Sequence, residues 1–254
     1  PEFVPALLVV AELEFDAGRS DRAAAAVARA LAVDPRHLEA IALEAAIAYV
    51  EDRRETFEAA AARARAINPR FGGAYRAAAD LAARRYRFDE AVELGRRAVA
   101  LDPEDGRALA ELGLHLLRVG EEAAAREVLD RAFRIDPYDV VTYNLLGLLD
   151  TLDGFTTIEA GDLRVRLHPD EAPILAEYAV PLAREALAAL AARYEMTPRG
   201  PILIEIFPRH DDFAVRTAGL PGLIGALGAC FGRVVTIDSP RARPPGTFDW
   251  QATL

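Results

Sequence analysis

The side chains best suited to chemistry lie in the last third of the chain. Cys230 is the only cysteine, and it would become a thiol nucleophile if His210 acted as its base and Asp238 oriented the histidine. A single cysteine beside a strand is more typical of a small core residue than of a nucleophile. We therefore expect Cys230 to be structural.

Carboxylates also cluster in this region. Asp211 and Asp212, together with Glu205, would suit acid–base chemistry or a hard metal ion. Aspartate is also favoured in the first turn of a helix, where its charge meets unpaired N–H groups. The pattern therefore favours a solvated helix start, and we predict no catalytic, cofactor-binding or metal-ligating residue in this chain.

Composition excludes several other classes of protein. All 30 basic residues among the 254 are arginine, so the lysine of a P-loop, a Schiff base or a kinase strand is missing. This also argues against a phosphate loop in the glycine-rich stretch 219–232. The net charge of -10 argues against a nucleic-acid partner. No apolar run approaches the length of about 18 residues that a membrane span needs.

The usage of single residue types says little about where the protein works. Arginine without lysine, together with abundant alanine, is typical of a GC-rich bacterial coding sequence. One cysteine excludes an intrachain disulfide and a cysteine zinc cluster, but a lone thiol is tolerated in any compartment. The sequence therefore leaves the cytoplasm and the periplasm equally open.

A regular period organises residues 1–154. Prolines recur at a constant spacing, each after Asp or Asn, and alanines recur five positions before each proline. Small residues and glycines recur in the same register farther upstream. The positions that define the period are Pro35, Pro69, Pro103 and Pro137, Ala30, Ala64, Ala98 and Ala132, Ala11, Ala45, Ala79, Gly113 and Gly147, and Gly18, Gly120 and Gly154.

This pattern predicts pairs of helices that pack closely. Small residues let two helix axes approach, glycine ends the first helix where a positive φ is needed, and proline ends the second. A single pair cannot bury its apolar face, so successive pairs must stack on one another. The second copy departs most from the pattern, with Asp52 in the turn and Phe57 at an alanine position.

The register, with its period of about 34 residues, resembles that of the tetratricopeptide repeat (TPR). The resemblance implies a mainly α fold: residues 1–154 would form a TPR α-solenoid of about four and a half repeats, a right-handed superhelix of helix pairs. A small α+β subdomain would follow. A generic helical bundle is the alternative for the first part.

TPR proteins bind a protein or peptide partner on the concave face, which the first helix of each pair lines. The matching residues here do not provide the lysine- and asparagine-bearing carboxylate clamp of some members. This face would otherwise be a solvated surface, or it would be covered by the chain's own C-terminal domain. The predicted face comprises Leu8, Glu12, Phe15, Tyr49, Arg76, Asp80, Arg107, Leu114, Leu117 and Arg118.

After residue 154 the pattern changes. Residues 155–168 predict a β-hairpin around Gly161, and a long helix follows that ends near Tyr194 and that Pro181 would kink or split. Residues 202–207 predict a central strand, 209–217 a short helix, and 233–238 another strand. A final helix would begin at Thr247. We expect antiparallel strands that pack on the long helix.

Residues 155–254 resemble the front portion of a gluzincin-type, peptidase-MA-like zinc peptidase domain. The likeness is carried by the segment His210–Phe213, the glycine stretch that runs into Val234–Asp238, and the segment Phe248–Leu254. In that family the last segment opens the helix that bears His-Glu-x-x-His, which binds zinc. No such motif occurs here, since His37, His115, His168 and His210 are each isolated.

The resemblance implies that the chain stops before its catalytic motif. We therefore expect no hydrolytic activity and no cofactor in this chain, and zinc-dependent peptidase activity in an intact bacterial parent. A peptide substrate would lie along an edge strand by strand addition. The alternative is a non-enzymatic TPR adaptor whose α+β unit serves binding or assembly. The predicted edge strand comprises Gly232, Arg233, Val234, Val235 and Thr236.

Overall fold

The computed structural model describes residues 3–197 and 200–254. The chain divides into two compact units, unit 1 (Pro1–His115) and unit 2 (Leu116–Leu254). The sequence-based boundary at residue 154 follows the end of the repeat pattern, which is a different criterion from compactness, and it stays a prediction.

Helix pairs repeat from Val4 to Asp153. The second helix of each pair begins at residue 20, 54, 88 or 122, so the spacing is the same each time. This regularity confirms helix pairs of the tetratricopeptide type. The helices are α1 (Val4–Asp16), α2 (Ser20–Val33), α3 (Leu38–Val50), α4 (Arg54–Ile67), α5 (Gly73–Arg84), α6 (Phe88–Leu101), α7 (Gly106–Arg118), α8 (Glu122–Ile135) and α9 (Val140–Asp153).

The turn inside each pair takes the left-handed conformation at one fixed position of the repeat. Gly18 and Gly120 have φ values of +73° and +79°, as the predicted helix ends require. Asp52 and Tyr86 take the same conformation, at φ 58° and 60°, without being glycine. The fold therefore imposes the left-handed turn even where the residue is not glycine, at a cost of about 1 kcal/mol for each.

The recurring alanines lie where two helices meet. Ala11, Ala45 and Ala79 are 0 to 1% exposed. At Gly72, just before α5, an added Cβ would lie 2.7 Å from the carbonyl oxygen of Ala98 on α6. The small residues thus allow the close backbone approach that the period predicts.

The second pair replaces one of these alanines with an aromatic ring. Phe57 on α4 is 1% exposed. Its ring makes edge-to-face contacts with Tyr49 and Tyr75, at centroid distances of 5.0 and 5.5 Å. Aromatic packing therefore fills the space between α3, α4 and α5.

Unit 2 contains α8, α9 and a sheet region. The predicted hairpin, long helix, central strand and short helix are all present. The remaining elements are β1 (Thr156–Ala160), β2 (Leu163–Leu167), α10 (Ala172–Tyr194), β3 (Ile202–Phe207), α11 (His210–Ala218), β4 (Gly228–Phe231), β5 (Val234–Asp238), a 3-10 turn (Pro240–Ala242) and α12 (Trp250–Thr253).

The sheet is mixed, and this corrects two predictions. Its strand order is β1-β2-β3-β5-β4. β2, β3 and β5 run parallel, while β1 and β4 pair antiparallel at the two edges, so the expected all-antiparallel sheet is wrong. The predicted edge strand 232–236 is also wrong, because β5 pairs with β3 on one side and β4 on the other. The edge is β4.

The long helix packs on the sheet. Leu175, Ala179 and Ala183 of α10 are buried with residues of β2, β3 and β5. Pro181 lies inside α10, which is one continuous helix, so the predicted split does not occur. Asp249, not Thr247, caps α12, because its side chain accepts from the N–H groups of Gln251 and Ala252. No helix of the described residues combines the length and apolarity that a membrane crossing requires.

Candidate functional site

A groove of about 140 Å³ runs across unit 1. It is lined by the first helices of the pairs, α1, α3, α5 and α7. Five of the predicted partner-binding residues lie in it. These are Leu8, Glu12, Arg76, Asp80 and Arg107.

The floor of the groove is apolar. The lining residues Leu8, Ala42 and Arg76 are one repeat length apart, so each occupies the same position on its own helix. Ala42 on α3 has the smallest side chain of the three and is 4% exposed. Leu43 and Leu81 are 7% and 2% exposed and complete the floor.

Ion pairs order the rim near α5 and α7. Arg76 Nη1 and Arg107 Nε donate to the same Glu111 oxygen, Oε1, at 3.0 and 2.9 Å. Arg84 donates to Asp16 at 2.6 Å and lies 2.8 Å from Asp80. Glu12 and Glu39 add two carboxylates at α1 and α3.

Three of the predicted face residues are buried instead. Phe15, Tyr49 and Leu117 are 3%, 7% and 0% exposed, so their placement on an open face is wrong. Helical register alone does not separate a residue that lines the groove from one on the same helix that packs inward. Leu114 and Arg118 are partly buried and lie outside the lining of the groove.

Tyr49 instead belongs to a polar cluster between pairs two and three. Its hydroxyl donates to Glu90 at 2.6 Å, and the Arg54 guanidinium lies 3.9 Å from the centre of its ring. Arg87 donates to both oxygens of Glu90, each at 2.7 Å. The Arg87 hydrogen bond, with those from Tyr49 and Arg54, lowers the pKa of Glu90 to about 2. The cluster therefore joins α3 to α6.

A thiol triad of Cys230, His210 and Asp238 is not assembled in unit 2. His210 Nδ1 lies 2.9 Å from Asp238, as a triad would need, but Arg243 also donates to that carboxylate at 2.9 Å. Cys230 pairs with Val235, three residues along β5 from Asp238, and its thiol points to the carbonyl of Gly232. Cys230 is exposed, so the expectation of a buried core residue is wrong.

The residues around this histidine hold a loop instead. His210 Nε2 lies 3.3 Å from the carbonyl oxygen of Gly222, and Arg243 donates to that of Ala226 at 3.1 Å. Between these contacts Ile224 is 96% exposed. The cluster therefore positions an apolar loop directly before the edge strand β4.

Glu205 is part of a buried charge network, which the sequence did not reveal. Glu205 and Arg216 are each fully buried, and Arg216 Nε donates to Glu205 at 2.6 Å. Arg216 also donates to the carbonyl of Leu117 at 2.9 Å. Arg166 bridges Glu205 and Glu122, at 3.2 and 2.6 Å. These contacts tie Leu117 and α8 to β2, β3 and α11.

The acidic residues nearby do not form a metal site. Asp211 and Asp212 lie in the first turn of α11, as the helix-start interpretation predicts. Burial raises the pKa of Asp212 above its ordinary value. In the part of the chain that the structure describes, no three His, Cys, Asp or Glu side chains are placed to hold a metal ion.

No protein-family model matches the chain, and no curated protein matches it. Among solved structures, PilF of Pseudomonas aeruginosa is similar at 20% identity and TM-score 0.39, over 59% of this chain and 68% of that one. YrrB, a TPR protein with an unusual peptide-binding site, is similar at 18% identity and a TM-score of 0.35, over 60% of this chain and 78% of YrrB. A thermophilic TPR protein of Thermus thermophilus is similar at 20% identity and a TM-score of 0.41, over 60% of this chain and 84% of that one. Since all three TM-scores are below 0.5, the fold is assigned from the chain's own helix pairs, which are of the tetratricopeptide type and precede a small α+β region.

Proposed function

We propose that the protein is a binding scaffold that holds an extended peptide segment in the groove of unit 1. The observation that carries this proposal is the apolar floor between charged rims. Ala42, Leu43 and Leu81 offer burial to side chains of the segment, while rim charges such as Arg107 and Glu12 fix its register. The ion pairs of Arg76 and Arg84 hold the rim in place before a ligand arrives, which lowers the entropic cost of binding.

Blocking the groove is expected to abolish binding. Ala77 lines the groove and is partly exposed, so Ala77→Arg puts a long side chain where the peptide would lie. Peptides are first selected from a phage-displayed library on the full chain, and their Kd is measured by fluorescence anisotropy. We expect Ala77→Arg to raise Kd at least about tenfold, since a hot-spot contact is typically worth more than about 1.4 kcal/mol.

Ala62→Arg is the matched control. Ala62 is exposed on α4 and lies outside the groove, so the same substitution adds the same charge and size there. Its Kd should equal that of the unchanged protein. An Ala77→Arg protein that is folded by circular dichroism and keeps its affinity would contradict the proposal.

We also propose that residues 155–254 are the front portion of a gluzincin-type peptidase domain, in which a peptide strand adds to β4. Two observations support this. β4 is the last strand of the sheet, so one row of its backbone groups has no partner strand among the described residues. The apolar loop that ends at β4 exposes Leu220 and Ile224, at 47% and 96%.

The gene sequence beyond codon 254 tests this second proposal. The helix that begins at Trp250 would carry His-Glu-x-x-His within about ten residues of Leu254. A stop codon there, or a helix without the two histidines, would refute the peptidase parent and favour the adaptor, in which the α+β unit serves only binding or assembly.

A further inference from the structure

We infer that the segment bound in the groove is dipolar, with a cationic end that faces α1 and α3 and an anionic end that faces α7. This inference rests on the proposed peptide-binding function and specifies the chemistry of the partner. It is carried by the distribution of charge along the groove, which changes sign from one end to the other.

The end at α1 and α3 is acidic. The exposed carboxylates of Glu12 and Glu39 lie there, and no arginine pairs with either among the described residues. His37 Nδ1 is 3.3 Å from Glu39, but it also accepts the N–H of Ala40 at the start of α3.

The middle of the groove adds to this acidity. Arg84 is shared by two aspartates, Asp16 and Asp80. One arginine between two carboxylates leaves one negative charge in excess. A cationic side chain that reaches Glu12 or Glu39 therefore enters a region of negative potential that extends to α5.

The end at α7 has the opposite sign. Arg76 and Arg107 share the single carboxylate of Glu111, which leaves one positive charge in excess. The Arg107 side chain is 73% exposed, so its guanidinium is open to an incoming carboxylate. Arginine binds the carboxylate of an acidic side chain or of a peptide's C-terminus through two N–H groups.

A segment that satisfies both ends has Lys or Arg at one end, Asp, Glu or its C-terminal carboxylate at the other, and small apolar residues between them. The apolar middle would lie on Leu8, Ala42 and Leu43. Phosphate-rich partners are disfavoured, because most of the groove is negative. The partner is therefore a protein segment with separated charges.

Four synthetic peptides test this inference. They share the core ALAL and differ in their flanks: KKALALEE is dipolar, KKALALKK is cationic, EEALALEE is anionic and QQALALQQ is neutral. We expect the dipolar peptide to bind the full chain about five- to tenfold more tightly than the neutral one, because two partly exposed ion pairs add modest energies. The anionic peptide should bind most weakly.

Charge reversal at the acidic end completes the test. Glu12→Arg with Glu39→Arg should weaken the dipolar peptide about five- to tenfold and strengthen the anionic peptide. The matched control is Glu55→Arg with Glu58→Arg, which changes the net charge equally at exposed positions of α4 outside the groove. The control should change the binding of neither peptide.

Three results would overturn the inference. Equal binding of the dipolar and neutral peptides would show that the groove has no charge preference. If Ala77→Arg still abolished that binding, the proposed scaffold function would remain supported. No binding of any peptide at about 1 mM would also overturn the inference. If the protein dimerised, and Glu12→Arg with Glu39→Arg abolished the dimer, the groove would bind a second copy of this chain instead.

Discussion

Arg216→Met is expected to lower the free energy of unfolding of unit 2 by about 3–5 kcal/mol, the usual cost of removing one partner of a buried ion pair. Methionine matches much of the volume of arginine but donates no hydrogen bond. Glu205 would then lose the 2.6 Å contact with Arg216, and the Leu117 carbonyl would lose its donor. Arg166 would remain, at 3.2 Å from Glu205.

Trp250 provides the measurement. It is the only tryptophan, and it packs against the core of unit 2, so its fluorescence during urea unfolding follows that unit in the full chain. Arg216→Met combined with Glu205→Met should recover most of the loss, because no unpaired charge is then buried. Arg209→Met is the matched control at a side chain that is 73% exposed. An Arg216→Met midpoint equal to that of the control would refute the role of the network.

Phe57→Ala is expected to destabilise unit 1 by about 3–5 kcal/mol, as for other buried phenylalanines. The ring is 1% exposed and touches Tyr49 and Tyr75, so its removal leaves a cavity between three helices. Alanine is the residue that the repeat pattern expects at this position. A loss of this size would therefore show that the packing around Tyr49 and Tyr75 depends on the Phe57 ring.

Far-UV circular dichroism in urea follows this change, because unit 1 is helical. Phe57→Leu should cost less, since it keeps much of the buried surface. Phe3→Ala is the control at a ring that is 66% exposed, and it should change stability by less than about 0.5 kcal/mol. A stability gain in Phe57→Ala would mean that the aromatic ring strains the pair.

The helices were predictable because their signals are local. A proline such as Pro69 and a turn residue such as Gly18 act within a few residues of their own position, and the period repeats them. Five groove residues followed from the same register. Phe15, Tyr49 and Leu117 did not, because their burial depends on neighbouring helices that register does not describe.

The sheet region was less predictable because its order depends on contacts between distant residues. The residues of 233–238 predict a strand, which β5 confirms, but they do not say which strands flank it. Nor does any local pattern connect Glu122 to Arg166 or Leu117 to Arg216, which are 44 and 99 residues apart. The edge was therefore predicted at β5, whereas the structure has β4, the strand before it in the sequence, at that edge.

The constant spacing of the turns at residues 18, 52, 86 and 120 has a consequence for how such a protein changes length. Duplication or loss of one whole repeat within the first three pairs would keep every turn in register. The fourth pair has no such freedom, because Glu122 and the Leu117 carbonyl are partners of arginines on β2 and α11. Whole repeats can thus be added before α7, whereas Leu117 and α8 must keep their hydrogen bonds to the arginines of β2 and α11.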